Sequence, residues 1–290
     1  MPEGHTLHRL ATDVRDRFAG RTVRVSSPQG RFAEAAALLD RSRLVSAESY
    51  GKHLFVGFEQ DRFVHVHLGL YGKLQVADGP VPAPVGQVRL RIVSTGADPS
   101  YADLRGATAC DLFTAEERDS VLDRLGPDPL RPDADWTRAW ERVRRSRTPI
   151  GALLMDQSVL AGVGNVYRAE VLFRHRLHPL RPGSTVRRGQ FQAVWEDLVA
   201  LMAYGVHTGR IDTVRAEHTP EAMGRPPRRD DHGGEVYVYR RDGRPCHVCG
   251  GLVRTQVLAG RNLFWCPRCQ PVFRSRAGRS GSGSRAAAGA

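Results

Sequence analysis

The spacing of apolar residues changes along this chain, and each spacing predicts a different kind of element. Near the start, apolar side chains recur every three or four residues, which predicts one helix that ends at Gly20. After this glycine the period is two, most clearly at residues 64–68 and 88–92, with breaks rich in proline and glycine at 78–86 and 96–99. The first part of the chain therefore predicts a helix followed by a β-sandwich or barrel.

The second half has helical spacing. The sequence LGPDPL at 125–130 cannot continue a helix or a central strand, because it holds two prolines and a glycine. Three helices are expected after it: Thr148 supplies an N-cap before a proline, Asn165 opens the second and Thr185 opens the third. Residues 206–234 are polar, with a glycine and proline content that predicts a mobile loop.

These patterns predict an α+β multidomain protein. A chain of 290 residues is long enough for one large domain or two to three small ones. The expected ranges are an N-terminal β-sandwich domain at 1–118, a linker at 119–135, a helical domain at 136–234, a cysteine-rich finger at 235–273 and a disordered basic tail at 274–290.

Charge narrows the class of partner. Lysine and arginine number 43 against 31 aspartate and glutamate residues, which gives a formal net charge of +12 and indicates a polyanionic partner. With 41% hydrophobic and 26% charged residues, the composition excludes wholesale disorder. The sequence shows neither a long apolar run nor a signal-peptide core, so we expect a cytoplasmic protein associated with the nucleoid.

Four of the five cysteines form two short pairs near the end of the chain. The pairs have C-x2-C spacing and are separated by sixteen residues; they are Cys246, Cys249, Cys266 and Cys269. This spacing predicts one structural zinc ion with four thiolate ligands, which leave no open position for a substrate. The hairpin between the pairs carries Arg254 and Arg261 and would present a basic finger. Cys110 stands in apolar company, and we expect no function for it.

The N-terminus offers a nucleophile. Pro2 follows the initiator methionine, and small residues at this place permit methionine removal, which would expose a secondary amine. An α-amine is available near neutral pH because its pKa lies well below that of a lysine. Glu3 stands beside it and could move protons.

Other candidates are weaker when each is taken alone. The sequence GVGN at 162–165 stands at a helix start, where free backbone N–H groups favour a phosphate. Lys52 enters a strand pattern, where a lysine is ordinarily a solvated edge residue. His65 and His67 share one face of a strand, but no third ligand is near in sequence, so we expect no metal there.

Taken together, these motifs resemble the formamidopyrimidine-DNA glycosylase/endonuclease VIII family of base-excision repair enzymes. The resemblance rests on MPEG at the start, LGPDPL at 125–130, LMDQ at 154–157, AGVGNVY at 161–167 and the four cysteines with Arg261 before the second pair. It implies a β-sandwich domain, a helix-two-turns-helix motif at about 148–178 and a zinc finger, with damaged DNA in the cleft between them. No membrane or organic cofactor is expected, and we expect a monomer.

The resemblance also implies site residues. Pro2 matches the family's nucleophile and Glu3 its acid/base. Lys52, Asn165 and Arg261 match residues that contact phosphates near the lesion. The chemistry implied is attack of the proline nitrogen on C1′ of a flipped nucleotide, release of the base, and β- and then δ-elimination through the resulting Schiff base.

Three features bear on the lesion. Leu70 and Tyr71 occupy the place of the side chains that fill the gap left by flipping, and they resemble the wedge of the endonuclease VIII branch. Residues 103–106 lack the Arg-Arg-Phe-Gly of guanine-directed relatives, and Thr6 replaces a second glutamate found in many members. Oxidised pyrimidines are favoured as substrates; the alternatives are oxidised purines, or a non-catalytic zinc-ribbon protein that binds DNA.

Overall fold

The computed structural model describes residues 2–229 and 234–273. The predicted tail at 274–290 and four residues of the predicted loop at 206–234 lie outside these ranges. The helices are α1 Gly4–Phe18, α2 Ala33–Leu39, α3 Ala115–Leu122, α4 Trp136–Arg145, α5 Ile150–Leu153, α6 Asn165–Arg174, α7 Arg188–Thr208 and α8 Pro220–Met223. The strands are β1 Val23–Ser26, β2 Leu44–Tyr50, β3 His53–Phe58, β4 Arg62–His67, β5 Lys73–Asp78, β6 Val88–Ser94, β7 Ser100–Arg105, β8 Ala109–Phe113, β9 Arg254–Leu258 and β10 Arg261–Trp265.

The first helix forms where the apolar stripe predicts it. Leu7, Val14 and Phe18 are fully buried on one face of α1 and pack into the sandwich core. The helix ends at Phe18, and Gly20 adopts a positive φ of 80° that turns the chain toward β1.

Two antiparallel sheets of four strands form the N-terminal β-sandwich. Their orders are β1-β6-β7-β5 and β2-β3-β4-β8. Alternate residues of each strand enter one shared core, as the period of two predicts. The outer face of the second sheet is covered by α3 and the following turn, where Phe55 packs with Val121 and Leu125. The predicted boundary at residue 118 thus falls inside a helix that docks on the sandwich.

The helical part and the finger share one apolar core. Phe173 of α6 stacks on Tyr237, and the cluster they belong to includes Phe264 and the buried cysteines of the finger. The β9–β10 hairpin stands on this core. The α+β architecture of sandwich, helical domain and cysteine finger agrees with the sequence prediction.

Several predicted helix ends are displaced. Pro149 is the N-cap of α5, which is a single turn, rather than its first residue. The third helix begins at Arg188 instead of Thr185, because residues 183–185 form a separate 3-10 turn. It also continues to Thr208, where Gly209 in the left-handed conformation ends it.

The predicted loop at 206–234 contains ordered turns. Besides the end of α7, it holds a 3-10 turn at Ala216–His218 and helix α8, which Thr219 caps through its side chain. Among the described residues, none of the helices is both long and apolar enough to cross a membrane.

The two halves meet at the N-terminus. Gly4 donates a backbone hydrogen bond of 2.8 Å to the carbonyl of Gly162, and helix α1 lies against α7. A Cβ added to Gly4 would stand 2.8 Å from Gly162 Cα, so only glycine permits this approach. The contact brings Pro2 and Glu3 to the start of α6.

Candidate active site and nucleic-acid interface

Glu3 is fully buried at the N-terminus of α6. Its carboxylate accepts hydrogen bonds from the backbone N–H groups of Gly164 at 2.9 Å, Val166 at 2.8 Å and Tyr167 at 3.4 Å. A Cβ on Gly164 would lie 2.3 Å from Glu3 Cδ, so this glycine makes room for the acid. The anion-binding site expected at 162–165 is therefore present, and a carboxylate of the protein occupies part of it.

Lys52 faces Glu3 from the turn between β2 and β3. It is not the solvated edge residue that its strand context suggested, because the turn folds inward against the helical half. Burial raises the pKa of the Glu3 carboxyl, while Lys52 and the three amides act in the opposite direction. Burial likewise lowers the pKa of Lys52, and Glu3 opposes that shift. Both groups can thus exchange protons more easily than free side chains.

A cavity of about 550 Å³ opens beside this pair. Pro2, Lys52, Leu70 and Arg261 line it, together with His67 of β4. Residues that are distant in sequence, and that the sequence predicts to act in the chemistry or in DNA binding, thus line one cavity. Thr6 lies in the first turn of α1, where its hydroxyl is 3.3 Å from His5 Nε2.

The turn between β4 and β5 carries two exposed apolar side chains at the cavity edge. Leu70 is 44% exposed and Tyr71 is 89% exposed, although large apolar side chains are ordinarily covered. A second cavity of about 480 Å³ begins beyond this turn and is lined by Tyr71, Asn165, Tyr239 and Arg261. Arg261 borders both cavities, so the exposed turn and the finger arginine face each other across the opening.

Asn165 is held against the finger. Its Nδ2 donates a 2.9 Å hydrogen bond to the carbonyl of Asn262, and its Oδ1 accepts from Arg168. Arg168 is completely buried and also donates to the Asn262 carbonyl at 3.1 Å. Burial lowers the pKa of Arg168 to about 10, and Arg261 adds to the effect. Arg168 was not predicted from the sequence; its place one turn after Asn165, directly after the AGVGNVY motif, was the available signal.

Asp128 of the linker was also missed. Its buried carboxylate accepts from the backbone N–H of Gly51 at 2.7 Å and of Leu130 at 2.9 Å, and it lies 2.8 Å from His8 Nε2. These contacts tie the linker to helix α1 and to the turn that carries Lys52. The acid stands within LGPDPL, whose prolines predict a linker and carry no sign of these contacts.

Glu170 holds the segment that leads into the finger. The carboxylate is fully buried and accepts from the backbone N–H groups of Tyr237 at 2.6 Å and of Val238 and Tyr239 at 2.8 Å. Thr213 donates its hydroxyl to the same group at 2.6 Å. Residues 236–239 are therefore fixed by helix α6, not by strand pairing.

The four finger cysteines fit a zinc ion. Their sulfur atoms lie within 4.8 Å of one another, with 3.9 Å between Cys246 and Cys269 and 3.5 Å between Cys249 and Cys266. Tetrahedral thiolates at the usual Zn–S distance stand about 3.8 Å apart. The chain holds one structural zinc ion at this site, as the C-x2-C spacing predicts.

Comparisons with known proteins agree along most of the chain. Residues 1–110 match the formamidopyrimidine-DNA glycosylase N-terminal domain, residues 125–216 the H2TH domain of the same enzymes, and residues 243–272 a zinc finger found in FPG and IleRS. Endonuclease 8 1 of Mycobacterium tuberculosis is 54% identical over 277 residues, which are 93% of this chain and all of that protein. Formamidopyrimidine-DNA glycosylase of Thermomicrobium roseum is 33% identical over 248 residues, covering 80% and 83%.

Solved structures share the fold. The MutM (Fpg) protein of Thermus thermophilus superposes with a TM-score of 0.70 and 27% identity over 93% of this chain and 98% of that one. Lactococcus lactis Fpg, solved in complex with DNA that contains an abasic site, gives 0.74 and 22% over 93% and 100%. The resemblance seen in the sequence motifs is thus confirmed: this chain belongs to the formamidopyrimidine-DNA glycosylase/endonuclease VIII family of DNA glycosylases with AP lyase activity.

Proposed function

We propose that this enzyme removes oxidised pyrimidines from DNA and cleaves the strand through a Schiff base on Pro2. The observation that carries the proposal is the single cavity bordered by Pro2, Lys52 and the exposed Leu70, with the Glu3 carboxyl behind it. A flipped nucleotide would enter this cavity with its sugar next to the proline nitrogen.

The reaction follows from these groups. After removal of the initiator methionine, the lone pair of the Pro2 nitrogen attacks C1′, the glycosidic bond breaks and its electrons leave with the base, which takes up a proton. The buried Glu3 carboxyl can supply and recover protons at the sugar, since burial favours its protonated form. The Pro2 nitrogen then loses its proton and the C1′–O4′ bond breaks, with O4′ taking up a proton, which opens the sugar and gives the iminium. The iminium acidifies C2′, and loss of a C2′ proton expels the 3′ phosphate, followed by the 5′ phosphate.

Three residues are proposed to hold the DNA backbone. Lys52 and Arg261 border the cavity and carry positive charge, while Asn165 and Arg261 border the second cavity beyond the exposed turn. Phosphates on either side of the flipped nucleotide would meet these groups. We also propose a monomer that acts at the nucleoid of the cytoplasm without an organic cofactor. Its domain ranges are those predicted from the sequence, except that the first domain includes all of helix α3.

The first experiment tests the nucleophile. A tag left uncleaved at the N-terminus should abolish covalent complexes trapped with borohydride on DNA containing an abasic site, because it blocks the amine, while binding of an uncleavable analogue changes only a few-fold. Pro2→Gly replaces the secondary amine by a primary one and should reduce the trapping without abolishing it. Full trapping by the blocked protein, with the adduct located by mass spectrometry, would rule out Pro2.

The second experiment tests the lesion class. Leu70 and Tyr71 form an apolar wedge, and the chain lacks the Arg-Arg-Phe-Gly that guanine-directed relatives place opposite the lesion. We expect single-turnover excision of thymine glycol or dihydrouracil to exceed that of 8-oxoguanine opposite cytosine by at least about 10-fold, or about 1.4 kcal/mol of barrier. Equal or reversed rates at saturating enzyme would assign oxidised purines instead.

A further inference from the structure

Three histidines form a row on the outer face of the second sheet, next to the catalytic cavity. His67 lines that cavity, and its ring centroid is 5.2 Å from that of His53. His65 lies next to His53 in the row, with 5.1 Å between the ring centroids and 2.8 Å between His53 Nδ1 and His65 Nε2. The chemistry proposed above uses none of these hydrogen-bonding atoms.

The inner member of the row is enclosed by aromatic rings. His65 is 6% exposed and stacks between Phe55 and Phe113, at centroid distances of 5.2 and 4.6 Å. Burial lowers the pKa of His65 to about 4, although Asp111 on the neighbouring strand opposes the shift. At neutral pH this imidazole is uncharged and carries one N–H.

The middle member faces cations. Burial lowers the pKa of His53 to about 3, and the neighbouring histidines, Arg124 and Lys52 lower it further. Arg124 acts on it from the linker and Lys52 from the preceding turn. His53 is therefore also a neutral imidazole with a single N–H at neutral pH.

The hydrogen bond between the two rings determines where each proton lies. His65 Nδ1 is buried and has no hydrogen-bond partner within the described ranges. If His53 donated, the proton of His65 would lie on that Nδ1, and a buried N–H without an acceptor is rare and costly. His65 Nε2 is therefore the donor, and the proton of His53 lies on Nε2.

His53 Nε2 is not among the buried unpartnered side-chain atoms of the described residues, so solvent or a ligand can reach it. The ring also lies within electrostatic range of Lys52 and Arg124. An N–H donor beside Lys52 and Arg124 matches a phosphate oxygen, which accepts hydrogen bonds and carries negative charge.

We propose that His53 contacts the DNA backbone as a neutral Nε2–H donor to a phosphate beside Lys52, and that His65 is the positioning residue that fixes its tautomer. The inference rests on the DNA cleft of the proposed function. It extends the phosphate-binding surface from Lys52 along the sheet toward Arg124.

The test measures binding of a duplex with a tetrahydrofuran abasic-site analogue at several salt concentrations. His53→Phe keeps the ring but removes the donor, and we expect Kd to rise about 5- to 10-fold at every salt concentration. The slope of log K against log salt should stay the same, because a neutral donor releases no counterion; Lys52→Ala should reduce it by about one. His53→Gln, which restores an N–H near the Nε2 position, should recover most of the affinity.

The tautomer is read separately by ¹⁵N NMR of histidine-labelled protein. The unaltered protein should show His53 protonated on Nε2, and His65→Phe, which preserves the ring stack, should lose this fixed state and part of the affinity. A His53 proton on Nδ1, full affinity of His53→Phe, or a salt slope reduced by one in that variant would each overturn the proposal. Failure of the unaltered protein to bind the duplex would instead refute the proposed function, and with it the proposed contact of His53.

Discussion

At the scale of single residues, Glu3 combines two opposing influences on one carboxyl group. Three backbone amides at the start of α6 fix both oxygens, and together with Lys52 they favour the ionised form. Complete burial favours the protonated form, and its effect is the larger. A group in this balance can donate a proton and then take one back without changing its position.

Glu3→Gln separates the two steps proposed for the cavity. Release of a base needs proton transfer, so we expect excision to fall at least about 100-fold. An existing abasic site has no base to release, and the variant should still nick it. Single-turnover assays on both substrates measure the difference.

Glu34→Gln, on the exposed first turn of α2, is the matched control and should leave both rates unchanged. Unchanged excision kinetics in Glu3→Gln would refute the acid/base role.

The chemical role of a residue could be predicted from the sequence only where its type and the spacing of a motif indicate that role. Pro2 and the cysteines carry their chemistry in their type and spacing. The roles of Asp128 and Arg168 depend on contacts with Gly51 and Asn262, which are 77 and 94 residues away in the chain. No local sequence pattern indicates contacts over such distances along the chain, so the partners of these residues could not be predicted.

At the scale of elements, the linker is a structural clamp. It starts within helix α3, whose capping box is formed by Thr114 and Glu117, and continues to the buried Asp128. The clamp holds the Lys52 turn against the helical half. Its two prolines limit the conformations of the chain on either side of the acid.

Asp128→Asn should weaken this clamp. An amide supplies only one acceptor oxygen, so its N–H₂ would face either the Leu130 N–H or the Gly51 N–H with His8. We expect a loss of about 1–3 kcal/mol in the free energy of unfolding, and slower excision because the Lys52 turn is released. Thermal unfolding and single-turnover rates measure both effects.

Asp133→Asn is the matched control in the same linker, since that acid is exposed and forms a surface ion pair with Arg131. Equal unfolding temperatures for the two variants would show that Asp128 does not clamp the linker.

Elements with regular periodicity were predictable, and short ones were not. Helix α1 and strands β4 and β6 follow their apolar patterns because each buries one continuous face. Helix α5 is a single turn, too short for any period to appear. The segment 236–239 alternates valine and tyrosine as a strand would, yet the Glu170 carboxylate, and not a neighbouring strand, binds its backbone N–H groups.

At the scale of the whole molecule, two separate cores meet at the cleft. The sandwich and α1 form one core, and the helical part forms another that includes Cys246, Cys266 and Cys269. The zinc site is thus part of the second core and not an independent module. All four tryptophans of the chain lie after residue 135, so their fluorescence reports on this second core alone.

Loss of zinc should therefore unfold one half of the molecule before the other. Without the ion, four thiolates in the second core would repel one another or take up protons at a cost in stability. Chelation, or Cys249→Ser, should lower the temperature at which tryptophan fluorescence changes and weaken DNA binding through displacement of Arg261. Hydrogen exchange of peptides from residues 1–118 should change little, because the sandwich core contains none of the four zinc ligands.

Cys110→Ser, at a buried cysteine of the sandwich core, is the control. It should reduce the hydrogen-exchange protection of residues 1–118 and leave the temperature of the tryptophan fluorescence change unaltered. Simultaneous loss of protection in both halves on chelation would show that the two cores unfold as one unit.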